Sequence, residues 1–158
     1  MVNKVRKAMD HFEVFPIGYV RRRDGGVFID ILEAYRPALH LLGHFSHVMV
    51  LWWATLNDTP EARQHTLSRP PYALDRPTGV FACHSSRRPN PILLTTCRIL
   101  GVDEEAGVVQ VGNIDAFDGS PVIDLKAYFP ASDRVKDAHL PEWLVDWPEW
   151  QPEEGQGL

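Results

Sequence analysis

Two stretches of this 158-residue chain carry residue types and spacings from which a site could be built. The first is Gly79-Val80-Phe81-Ala82-Cys83-His84-Ser85-Ser86-Arg87-Arg88-Pro89-Asn90-Pro91-Ile92, an apolar run that turns abruptly polar. Pro89 and Pro91 fix their own φ and push the residue before each toward extended geometry, so Ser85, Arg88 and Asn90 are held in set directions. A stiff polar loop on strand ends is a common way to present groups to a ligand. The same residues also describe a proline-rich connection with exposed arginines.

The second stretch is Asp115-Ala116-Phe117-Asp118-Gly119-Ser120-Pro121, followed by Asp124-Leu125-Lys126-Ala127-Tyr128. Two acids beside a glycine turn read as the polar rim of a pocket facing the proline loop. They equally read as turn chemistry, with Asp118-Gly119 closing a hairpin and Asp124 and Lys126 facing water. Residue types leave both open. His44 and His47 stand three apart, a spacing that serves a metal only on a helix. This segment reads as a strand with no further ligand nearby, so no metal is expected. Cys83-His84 pairs a thiol with an imidazole, but neighbours on a strand point apart and a buried Cys83 is the expectation. No Gly-x-Gly-x-x-Gly, Walker loop or Gly-x-Ser-x-Gly elbow occurs, which disfavours a doubly wound nucleotide fold.

The elements that must carry these stretches read mostly as strands. Phe15 to Arg22 and Val27 to Leu32 form a hairpin closed by Asp24-Gly25-Gly26, because glycine supplies the positive φ of tight turns. Pro37 could open a short helix within Glu33 to Leu42. Phe45 to Ala54 reads as a central strand buried on both faces. Thr55 to Thr78 lacks periodicity, and a loop that long in a compact domain is usually a lid or a binding loop. Gly79 to Cys83 reads as a short strand and Ile92 to Val102 as a long one. A turn at Asp103 to Gly107 leads to Val108 to Ile114, and Pro121 to Leu125 follows Asp118-Gly119. About six short strands with little helix predict an all-β chain, a small antiparallel barrel or a sandwich. Residues 1 to 12 read as a loosely docked arm. Trp143, Trp147 and Trp150 in the Trp/Pro-rich tail are expected to cover the barrel or a neighbouring subunit, since bare tryptophan is costly in water.

Length and composition agree with a single domain over residues 1–158, with its core at about 13–133 and a tail at 134–158. The content is 44% hydrophobic and 23% charged, with two cysteines, which fits a reducing, cytoplasmic setting. The longest apolar run, Val48 to Ala54, is too short to span a bilayer, and the N-terminus lacks the apolar core of a secretion signal. A net charge of −5 argues against nonspecific coating of nucleic acid. Local basic clusters at Arg21-Arg22-Arg23 and Arg87-Arg88 contrast with an acidic tail.

Five separated motifs resemble, in order, the YaeB-like family, also called TsaA-like or TrmO. They are Ile17-Gly18-Tyr19-Val20, Gly43-His44-Phe45-Ser46-His47, Gly79-Val80-Phe81-Ala82, Arg88-Pro89-Asn90-Pro91-Ile92 and the run Ile114 to Tyr128. The resemblance implies a small antiparallel β-barrel that binds S-adenosylmethionine, usually as a homodimer with the cofactor near the interface. It implies a methyltransferase that modifies N6 of threonylcarbamoyl-adenosine beside the tRNA anticodon. Cofactor contacts would fall on His84, Ser85, Arg88, Asn90, Pro91 and Leu94, and on Asp118, Gly119, Ser120 and Pro121. Asp115 or Tyr128 would accept the proton, and Arg21, Arg22, Arg23, Arg87, Arg88 and Lys126 would meet RNA. The chain departs from the family pattern at His84, where an arginine is usual, and at Leu93, where a glycine is usual. It also has the tight Asp24-Gly25-Gly26 turn in place of a longer loop, and does not carry the extra C-terminal domain of longer members. The alternatives are a methyltransferase for a small molecule, or a ligand-binding or regulatory barrel without catalysis.

Overall fold

The computed structural model describes residues 12–152; the arm expected at the N-terminus lies, but for Phe12, outside the described residues. Strands β1 (Gly18–Arg23) and β2 (Gly26–Ile31) form the first hairpin. Asp24 and Gly25 turn it with φ of 52° and 73°, the paired positive φ that matches a turn to the twist of its strands. A 3-10 segment at Glu33–Leu39 follows, with Pro37 inside it rather than at its start. Then come β3 (His47–Trp53), a helical turn α1 (Pro60–Arg63), and the short β4 (Leu67–Ser68) and β5 (Thr78–Gly79). The long β6 (Ile92–Asp103), β7 (Val108–Val111), β8 (Pro121–Ala127) and the turn α2 (Pro130–Asp133) complete the order.

Six strands close a barrel in the order β1-β2-β7-β6-β3-β8, with every pairing antiparallel. Its interior is filled by Val20, Ile29, Val48, Val50, Val109, Val111, Ile114 and Val122, each at most 1% exposed. Branched side chains suit the pleated wall, and full burial of one contributes roughly 1.5–3 kcal/mol. β3 corrects the expectation of a strand buried on both faces. Val48, Val50 and Trp52 point inward while Met49, Leu51 and Trp53 stay half-covered, because a closed barrel has one interior. Gly79 to Cys83 is also corrected: only Thr78–Gly79 is strand, paired to Leu67–Ser68, and Val80–Ala82 is a 3-10 turn. The 55–78 stretch is thus folded into short elements rather than left as one loop. Among the described residues no helix is long and apolar enough to cross a membrane.

β3 and β6 pair over seven positions, and β8 shifts register against β3 between Leu51 and Trp52. That irregularity sits at one end of the barrel, where β3 ends, β6 begins and β8 begins. Strand ends from three neighbours therefore surround a single mouth.

Candidate functional site

At that mouth lies a cleft of about 880 Å³, within the range of small-molecule and cofactor sites. Trp52 and Ile92 to Thr95 form its floor, and Trp52 Nε1 is fixed by Thr95 Oγ1 at 3.1 Å. One wall is the turn Asp115, Phe117, Asp118, Gly119 and Ser120. The other is built from Thr55 to Asn57, Ser68 to Tyr72, and the loop carrying His84, Ser85, Ser86 and Arg88. The proline-rich loop and the aspartate-bearing turn, about thirty residues apart in the chain, thus meet across one opening.

The 114–120 wall is bolted to β1. The Arg22 guanidinium donates to the carbonyls of Ile114 and Ala116, reaching Ala116 from Nε at 3.3 Å and from Nη2 at 3.0 Å. The Arg22 backbone N–H donates to Asp118 Oδ1 at 2.8 Å. Gly119 N–H reaches the Val20 carbonyl at 2.8 Å, and Val20 N–H returns to the Ser120 carbonyl at 2.9 Å. Gly119 adopts φ 80°, a conformation that side-chain-bearing residues rarely take. Phe117, 67% exposed, is held at the lip of this turn.

The 84–91 loop is held differently, mostly by side chains. Arg88 Nη1 donates to the Cys83 carbonyl at 3.3 Å and lies 3.5 Å from that of Ser85. Asn57 Nδ2 donates to Ser86 Oγ at 2.8 Å, and Arg63 Nη1 to the Pro89 carbonyl at 3.2 Å. Pro91 is buried, its carbonyl accepting from Ala54 N–H at 2.9 Å. Asn90 is exposed and does not line the cleft.

Burial pushes the Asp115 carboxyl above the ordinary carboxylate range, and the Arg22 charge opposes that shift. Asp115 as a residue is exposed, so the desolvation of its carboxyl is only partial. Burial, with the Asp115 charge adding to it, pushes the Cys97 thiol up to about 12, which leaves it protonated and inert at neutral pH. Cys83 is buried, as its neighbours in sequence suggested.

Of the residues singled out from sequence, His84, Ser85, Arg88, Leu94, Asp115, Asp118, Gly119 and Ser120 line the cleft. Pro91 and Pro121 stand behind it as framework. Tyr128 is brought elsewhere: it follows the far end of β8, with its N–H on the His47 carbonyl and its ring 6.3 Å from the His47 ring. The length of β8 separates it from Asp115, so the two do not share a site within one chain. Arg22 is committed to the chain's own carbonyls. Arg23 forms a two-point pair with Asp30, both contacts at 2.9 Å, and Lys126 meets Asp124 at 2.9 Å. Arg21 lies 3.9 Å from Asp30 and 5.4 Å over the Tyr19 ring, while Arg87 stays exposed. Sequence reasoning named the 55–78 stretch as a lid or binding loop but missed Trp52, Asn57, Arg69 and Tyr72 in particular. Among the described residues no group of three or more His, Cys, Asp or Glu is arranged to hold a metal.

Comparison with known proteins places this geometry. An archaeal protein of Pyrococcus horikoshii, whose name describes S-adenosyl-L-methionine binding, is 35% identical over 127 residues, covering 80% of this chain and 89% of that protein. The tRNA (adenine(37)-N6)-methyltransferase of Escherichia coli is 30% identical over 124 residues, covering 77% of this chain and 52% of that enzyme. The crystal structure of TrmO from Pseudomonas aeruginosa superposes with a TM-score of 0.61 at 28% identity, covering 82% of this chain. The chain spans 62% of that solved structure's length and about half of the E. coli enzyme. Residues 10–134 match the tRNA-methyltransferase O N-terminal domain, and the chain belongs to that family.

Proposed function

We propose that this chain is an S-adenosylmethionine-dependent methyltransferase acting on tRNA, at N6 of adenosine 37 and in its threonylcarbamoyl-modified form. The observation that carries the reading is the convergence of the Ser85–Arg88 loop and the Asp115–Ser120 turn on one cleft. It is supported by the family match and by the printed names of the archaeal and E. coli relatives.

The donor set fits such a cofactor. Asp118 offers a carboxylate toward a cationic ligand, with one oxygen engaged by Arg22 N–H. Ser85 and Ser86 supply hydroxyls, and Trp52, Leu94 and Phe117 supply apolar surface for a purine. Bound here, S-adenosylmethionine supplies a methyl group already activated by its sulfonium, so the protein's task is alignment. Fixing the 114–120 turn on β1 sets where the acceptor amine must stand. An exocyclic amine is a weak nucleophile, and it is Asp115, with its proton affinity raised by partial desolvation, that orients it and accepts its proton. Phe117 at the lip and Leu94 on the floor shield the reacting atoms from water. Arg87, with Arg21 beside the turn, meets RNA phosphate. The same reading takes the chain as a cytoplasmic homodimer, supported by the exposed apolar side chains of Phe81, Leu94 and Phe117.

Incubation with methyl-labelled cofactor and either bulk tRNA or a metabolite pool tests the reading. Label in tRNA, recovered on N6 of the modified adenosine by nucleoside mass spectrometry, is the expected result. Label confined to small molecules would favour the second reading, a small-molecule methyltransferase. That alternative draws on the internal engagement of Arg22, Arg23 and Lys126, which withdraws three of the cations expected to meet RNA. In calorimetry, Asp118→Ala should weaken cofactor binding; unchanged affinity removes Asp118 from the site.

A further inference from the structure

The family match ends at residue 134, yet the chain beyond it is folded against the barrel. A 3-10 turn at Glu142–Leu144 leads into three contacts with the body of the protein. The Trp147 ring lies 5.0 Å from that of Tyr72, the Arg76 guanidinium sits 5.1 Å over Trp143, and Gln151 Nε2 donates to the Thr96 carbonyl at 2.8 Å. Thr96 belongs to the part of β6 that β7 does not reach, since β7 pairing begins at Ile99. Arg134 over Trp150 at 5.2 Å ties the segment to itself.

The Tyr72 and Arg76 contacts fall on the less secured wall of the cleft, and the Gln151 contact anchors the segment to the barrel. Residues 66–79 depend on two registered pairs between β4 and β5, and a two-stranded ribbon is not stable alone. Tyr72 is the residue of that wall with contacts on both sides. Its side chain lines the cleft and its ring meets Trp147. Around it stand the Cys83 thiol and the His84 backbone amide, at the start of the loop that carries Ser85 and Ser86. A displacement of Trp147 is therefore passed to Tyr72, and from Tyr72 to the 84–88 loop.

We infer that residues 143–151 form a strap that positions the Tyr72 wall, making Trp147 a positioning residue for the ligand of this cleft. The inference rests on the cofactor reading given above. Coupling between two sites is reciprocal, so a cofactor that needs the wall in place must also hold the strap down. A tail that merely hid apolar rings from water would not respond to the ligand.

The test uses the full chain, with S-adenosylmethionine as the ligand in calorimetry. Trp147→Ala is expected to raise Kd about tenfold, or ~1.4 kcal/mol, while Trp147→Phe keeps most of the affinity. kcat at saturating cofactor and the thermal midpoint of the barrel should stay near their wild-type values. Trypsin cleavage at Lys136 should be slowed by the cofactor in the wild type and not in Trp147→Ala. If Trp147→Ala does not fold, Trp147→Leu replaces it with the same readouts, because it keeps bulk against the wall while removing the ring contact and leaves every cleft-lining residue unchanged. Wild-type affinity in the folded variant, or tail cleavage indifferent to ligand, overturns the strap and leaves the methyltransferase reading intact. A wild-type chain that binds no S-adenosylmethionine overturns that reading, and the strap falls with it.

Discussion

The two walls of the cleft are made in opposite ways. The Asp115–Ser120 turn is an extension of the barrel, tied by main-chain bonds to Val20 and by the Arg22 fork. The wall formed by residues 55–88 lies outside the barrel and is held by individual side chains: Asn57, Arg63, Arg88 and Tyr72. Main-chain bonds on a closed sheet open only when the sheet does, whereas side-chain ties break one at a time. Under the proposed function that difference divides the work: the fixed wall would set the geometry of the reacting atoms, and the tied wall would admit and enclose the ligand.

The sharpest test of that division is Asp115→Asn. An amide keeps the shape but cannot take a proton, so turnover should fall about 10²–10⁴-fold with cofactor affinity little changed. A loss in affinity alone would move Asp115 from chemistry to binding. Next in size is Arg22→Ala, which strips the Ile114 and Ala116 carbonyls of a charged donor. Such bonds are worth about 1.5–3 kcal/mol, and denaturant titration should register a loss of that order together with weaker cofactor binding. Gly119→Ala follows, at about 1–2 kcal/mol. Space is not the obstacle, since the nearest atom to a new Cβ is Arg21 Nη1 at 3.7 Å; the φ of 80° is.

The same contrast explains what could be read from the chain. Asp24-Gly25, Asp103 to Gly107 and the alternating valines are local signals, and the antiparallel strands followed from them with barrel and sandwich both open; closure into a barrel was implied by the resemblance alone. Resemblance in the Arg88–Ile92 and Ile114–Tyr128 motifs pointed to the family, the first bearing on the tied wall and the second on the fixed one. The role of Arg22 was hidden because its partners are backbone carbonyls more than ninety residues away, which no residue type reveals. β3 looked buried on both faces because Met49, Leu51 and Trp53 are apolar on its outer side. Tyr128 follows the aspartate motif closely in sequence, yet a strand is extended, and seven residues of β8 carry it away from the cleft. Tyr72 and Trp147 meet only through the path of the tail, a tertiary fact without a local signature.

On the tied wall, Arg63→Ala should cost less than about 1 kcal/mol of global stability, because its partners are partly exposed. It donates to Asp58 and to the Pro89 carbonyl and stacks 5.4 Å over Trp53, so its loss should instead raise protease cleavage within 60–90. Equal protease resistance in wild type and variant would mean that the wall is as firmly built as the turn opposite.

The smallest effect concerns Asp58, and it separates the two walls by pH. The hydrogen bond from Arg63 holds its carboxyl below the ordinary value, with Trp53 Nε1 assisting and desolvation opposing. The folded state therefore binds that proton less tightly than the unfolded chain. Its contribution is present above the ordinary aspartate pKa and is lost as pH falls through the lowered one. Asp115 runs the other way: its proton is held more tightly in the fold, so stability declines as pH rises from the ordinary aspartate value through the raised one. Asp58→Asn should consequently narrow its deficit against wild type on acidification. Asp115→Asn should show a small gain that appears only above the acidic range. Salt should erase most of the Asp58 difference, which is at most about 1 kcal/mol for a pair this exposed. Parallel pH profiles for the two variants would mean that both carboxylates see the same surroundings, and the contrast between the walls would not extend to their electrostatics.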